Sequence, residues 1–139
     1  MWLLLVVWLD AAALEATNGV RVTPLAKGTT SWDGRPIAYP GGTAEVTALL
    51  VEIAPGAQTG WHCHLVPNFV YMLEGTLELT LDNGRVKRLK AGEALFEVFN
   101  RSHNGRNTGS VPAKLVVFYV GVAGKPLSVK GRSCLMERR

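Results

Sequence analysis

Beyond residue 20 the chain never sustains an apolar stripe at i, i+3, i+4, i+7 between helix caps, so little helix is expected. Charged residues are sparse at 19%, and the formal charge of +4 is scattered. Lys87, Arg88 and Lys90 form the densest basic group, flanking an expected strand. Lacking a basic stripe interleaved with aromatics, the chain is not expected to bind nucleic acid. There is no internal repeat and no sign of a second domain. At 139 residues and 47% apolar content, the chain fits one soluble domain, large enough to bury a core without staples.

Cysteine is scarce as well. Cys63 and Cys134 are the whole complement, and although two cysteines could pair in an oxidising space, Cys63 lies between two histidines expected to face inward. By alternation it should face outward, and Cys134 lies in a tail. The pair therefore does not fix the compartment, and alternation argues against Cys63 as a metal ligand.

Long hydrophobic runs are limited to Trp2–Leu9, whose eight residues are too few to span a bilayer. The run and the small residues after it suit a signal peptide over residues 1–16, cut after Ala13 or Ala16. No Lys or Arg precedes the run, and Asp10 and Glu15 lie near the cut. The competing reading is a first strand or short helix docked on the fold. Export implies a periplasmic or secreted protein with no membrane span in the mature chain; the alternative is cytoplasmic.

Strand and turn patterns occupy the rest of the chain. Residues 17–42 read as a lead-in segment with loop-like stretches, which Trp32 would anchor. Within 43–124 strands are expected over Glu45–Ile53, Phe69–Leu73, Thr76–Leu81, Arg85–Leu89, Ala94–Phe99 and Lys114–Val120, with a tight hairpin at Asp82-Asn83-Gly84. Short strands at this spacing suggest a closed sandwich or barrel. Residues 125–139 read as a C-terminal arm. The segment Phe69–Leu73 has large apolar groups on both faces, more than one interior can cover, which predicts a homodimer.

All three histidines are candidates for one site. His62 and His64 are spaced to leave the same face of a strand, and His103 is the only histidine left to complete a metal-binding set. Gly56, His62, His64 and Gly75, with Gly92, His103 and Asn107 further on, fall at the spacings of two sequence motifs. The pattern resembles the cupin superfamily. It departs at three places: Asn68 stands where the first motif has a glutamate, and Val98 and Asn100 replace a proline and a glycine of the second.

The resemblance implies an all-β fold, a single antiparallel double-stranded β-helix or jelly-roll barrel. It also implies one divalent transition metal, Fe, Mn, Zn, Ni or Cu, held by three histidines and a fourth ligand. Asn68 would offer only a neutral amide oxygen, or simply cap the turn after Pro67. Glu97 sits in an otherwise apolar segment, where a charge is costly unless partnered. It would either supply the missing charge beside the metal or lie outside, exposed or paired with arginine. Val70 and Met72 are expected to line the substrate pocket. Two functions are compatible with this pattern: a metal-dependent enzyme acting on an oxygenated small molecule, or a non-catalytic binding or structural cupin with a degenerate metal site.

Overall fold

A computed structural model describes residues 19–134. The expected signal peptide lies outside the described residues. There is no helix among them, and no segment long and apolar enough to cross a membrane as a helix.

Nine strands form two antiparallel sheets: β1 (Ala44–Ile53), β2 (His62–His64), β3 (Asn68–Glu74), β4 (Thr76–Leu81), β5 (Val86–Lys90), β6 (Ala94–Phe96), β7 (His103–Arg106), β8 (Ala113–Val122) and β9 (Ser128–Lys130). One sheet runs β1-β8-β3-β6 and the other β5-β4-β7-β2-β9. The expected all-β jelly-roll class is therefore observed, as a sandwich of two facing sheets.

Alternation builds the core. Leu77, Leu79 and Leu81 of β4 are buried while Glu78 and Thr80 are half-buried, and Leu77 and Leu79 share one core cluster with Val70, Met72, Leu115 and Val117 of the opposite sheet. Val70 and Met72 are thus packed in the apolar core, with Met72 fully buried.

Turns hold the register. Gly84 closes the β4–β5 hairpin at φ +84°, donating to the Leu81 carbonyl at 2.9 Å. Gly75 joins β3 to β4 at φ +73°, and any Cβ there would meet the Pro112 carbonyl oxygen at 2.6 Å, so this motif glycine is required by both conformation and space. Asn107 is wholly buried; its amide donates to the carbonyls of Ile53 at 2.9 Å and Val111 at 2.8 Å and accepts from the Gly109 amide.

The lead-in lies along β6, where the Trp32 amide donates to the Phe96 carbonyl at 3.0 Å and the indole packs on the core. The arm from residue 125 is part of the fold: β9 pairs with β2, and Cys134 is disulfide-bonded to Cys63. Cys63 faces away from the histidines, as alternation requires, but the arm covers that side and leaves it fully buried.

Candidate metal centre

Strand pairing assembles the site. β2 carries His62 and His64 on the inner face, and His62 is registered opposite His103 of β7. The three rings pack with centroids 4.3 to 4.8 Å apart, and their candidate ligand atoms all lie within 4.8 Å of one another. His103 is fully buried, His64 is nearly so, and His62 is half-buried, so the site opens on the His62 side.

Glu97 enters the cluster from outside any strand. The sequence-expected strand Ala94–Phe99 ends at Phe96, and the chain turns through Asn100 at φ +52°. Asn100 occupies the motif's glycine position and takes the left-handed backbone that a glycine would favour and that asparagine tolerates. Its amide donates to the His64 carbonyl at 2.7 Å, tying this turn to β2. Glu97 is 6% exposed, and its two carboxylate oxygens stand 3.1 Å from His103 Nε2 and 3.5 Å from His64 Nε2.

Charge reflects this packing. Burial alone would raise the Glu97 carboxyl, but the imidazoles of His103 and His64 hold it well below the usual carboxylate range. Burial would lower His103, yet the Glu97 carboxylate outweighs it and raises the imidazole. His62 is pushed down to about 4, by burial first and then by its histidine neighbours.

Orphaned atoms test whether a metal fits. His103 accepts no alternative partner at its buried Nε2, while Nδ1 lies 3.0 Å from the Arg101 carbonyl. The 3.1 Å approach of Glu97 to this Nε2 makes no aligned hydrogen bond. His62 likewise has Nδ1 2.8 Å from the Gly60 carbonyl. A backbone carbonyl on Nδ1 sets the tautomer that leaves Nε2 bare, the usual arrangement behind a metal-bound histidine. Ligand atoms around an ion with bonds of about 2.0–2.2 Å stand roughly 3–3.5 Å apart, which is the spacing of Glu97 from the two imidazoles. The three histidines fit a divalent ion, and Glu97 stands against two of them.

Asn68 is buried at the start of β3, 1% exposed, with its amide nitrogen 3.5 Å from the Val98 carbonyl and its Oδ1 without a partner. It is registered opposite Tyr119, whose ring lies against His64 at 5.2 Å between centroids. Sequence reasoning misses Tyr119, because only its inward alternation in β8 marks it. Burial, and then the Glu97 charge, pushes its hydroxyl up to about 12, so it is a neutral phenol at physiological pH.

Residues 49–119, just over half of the chain, match the Cupin domain family. The chain is a cupin. Among curated proteins, this cupin is 35% identical over 77 residues to the tetracenomycin polyketide synthase protein TcmJ of Streptomyces glaucescens, covering 55% of this chain and 51% of that protein. It is 27% identical over 97 residues to the oryzines biosynthesis cluster protein J of Aspergillus oryzae, covering 70% and 51%. The cupin spans about half the length of the curated relatives it matches. Among solved structures, a double-stranded β-helix protein of Klebsiella pneumoniae aligns with TM-score 0.54 at 22% identity over 80% of this chain and 99% of the other. The DMSP lyase DddQ of Ruegeria pomeroyi aligns with TM-score 0.54 at 22% identity over 70% and 46%. At such identities these likenesses show the fold.

Proposed function

We propose that this cupin is a metal-dependent enzyme acting on an oxygenated small molecule, with His62, His64, His103 and Glu97 holding one divalent transition metal. The observation that carries this reading is the buried Glu97 carboxylate placed against two imidazoles, His64 and His103. A carboxylate supplies the negative charge that the family position, here Asn68, lacks. When bound, the ion would act as a Lewis acid toward an oxygen of the substrate.

The chain's own groups supply the rest. The carbonyls of Gly60 and Arg101 orient His62 and His103, and the neutral Tyr119 ring packs against His64. Relatives named for polyketide and oryzine biosynthesis lend support to a small organic substrate. The test is consumption of small oxygenated organic compounds by metal-loaded protein, with His103→Ala as the inactive control. Binding without consumption would instead favour a non-catalytic cupin, a reading supported by the neutral Asn68 in place of the family's glutamate.

Two further features belong to this proposal. A homodimer is supported by the outer face of the four-stranded sheet, where Val46, Leu50 and Phe118 are 64%, 61% and 47% exposed. Export to a periplasm or beyond is supported by the Cys63–Cys134 disulfide, a bond that persists in oxidising compartments.

A further inference from the structure

The C-terminal arm builds one wall of the site. β9 is registered residue by residue on β2: Lys130 opposite His62, Val129 opposite Cys63 and Ser128 opposite His64. Directly paired residues leave the same face of a sheet, with Cβ atoms about 4.5–5.5 Å apart. Lys130 therefore stands beside His62 on the face that carries the histidines, and it is exposed where His62 is half-buried. This is the open side of the cluster.

The arm is held there at both ends. The Leu65 amide donates to the Leu127 carbonyl at 2.8 Å, and Leu127 packs on the core. Beyond β9, the Gly131 amide donates to the Trp61 carbonyl at 2.8 Å, Ser102 Oγ donates to the Gly131 carbonyl at 3.3 Å, and the Arg132 guanidinium lies 3.8 Å over the Trp61 ring. The Cys63–Cys134 disulfide closes the anchor. Arg132 is thereby occupied, whereas Lys130 is not: no carboxylate pairs with it among the described residues. Glu97, the acidic group of the site, is engaged with His64 and His103.

A lysine without a carboxylate partner among the described residues, registered beside an inward-facing polar cluster, is a place for an anion. We infer that Lys130 is a specificity-determining residue that binds a carboxylate of the substrate, so that the cupin takes a small organic acid bearing a second oxygen near its carboxylate. This rests on the site proposed above. The carboxylate rests on Lys130, and the neighbouring oxygen reaches toward His62. The arm, with its disulfide, keeps the cation in register with the histidines.

The test is calorimetric titration of the full chain with glycolate and with its neutral amide, glycolamide, first loaded with Zn(II) and then after chelation. Wild-type protein should prefer glycolate. Lys130→Ala should weaken glycolate by about tenfold, the scale of one charge-assisted hydrogen bond, and leave glycolamide unchanged. Lys130→Arg should keep the preference, and zinc content, measured in parallel, should be the same in all three proteins. Equal affinity for the two compounds in wild type, no glycolate binding, or undiminished glycolate binding by Lys130→Ala would overturn the inference. A wild type that takes up no zinc would overturn the metal reading instead, while the glycolate preference of the chelated protein would still decide the role of Lys130.

Discussion

His62 stands directly opposite His103 in the β2–β7 ladder, the one registered pair that joins these two strands. Because the pair belongs to the backbone register, the two imidazoles are brought together, with centroids 4.3 Å apart, before any ligand arrives. His64 joins them by alternation along β2, and Glu97 by the turn after β6.

Glu97 and Asn68 make opposite forecasts. Glu97 has both oxygens against imidazoles, so Glu97→Gln should weaken metal binding by about 10–100-fold or more, whereas Asn68→Ala should change it little. Asn68 is buried with an unpartnered Oδ1, and Asn68→Glu should tighten binding if that oxygen faces the ion. Competition against a chromophoric chelator reads all three. A larger loss from Asn68→Ala than from Glu97→Gln would exchange their roles.

Reduction of the Cys63–Cys134 disulfide should destabilise the fold. Its cysteines are 71 residues apart, and the chain-entropy relation gives about 4 kcal/mol for a loop of that size. Denaturant titration with and without a dithiol reductant measures the difference. Coincident curves for thiol-quantified reduced and oxidised protein would contradict this.

Asp33 gives the lead-in a pH dependence. Burial pushes its carboxyl up, but the Ser31 hydroxyl, the Arg35 amide and the Arg101 guanidinium outweigh burial and hold it below its ordinary value. A depressed carboxylate contributes stability above the unfolded value, near pH 3.9, and loses it as the pH falls through the folded value. Wild type should therefore exceed Asp33→Asn by under about 1 kcal/mol at pH 6, after solvent screening. The gap should close as the pH falls below about 4. A gap independent of pH would assign the effect to packing.

Assembly is tested on the outer face of the four-stranded sheet. Light scattering should give about twice the chain mass of 15.0 kDa. Phe118→Glu, at an exposed position, should give a folded monomer. A wild-type monomer at micromolar concentration would remove the dimer.

Much of the fold is legible in the sequence because turns and alternation agree locally. Thr76–Leu81 is legible to the residue, since Leu77, Leu79 and Leu81 alternate with polar groups and the strand ends at Asp82-Asn83-Gly84. The histidine trio is legible from spacing and from the cupin resemblance. The sequence leaves Glu97 open between two faces because alternation assigns a face only while a strand continues, and β6 stops at Phe96. β9 carries too short a pattern to announce itself and is fixed by pairing with a strand more than sixty residues earlier in the chain. The same long-range contact explains the disulfide: alternation gives the outward face of Cys63, but nothing local says that the arm returns to cover it.

Metal content tests the central claim most directly. Full-chain protein, purified without chelator and equilibrated with a divalent transition metal, should hold one ion per chain by elemental analysis. His62→Ala, His64→Ala and His103→Ala should each be largely metal-free, because the ligands that remain cannot close the coordination sphere. A wild type without stoichiometric metal, or full retention in all three variants, would contradict the account.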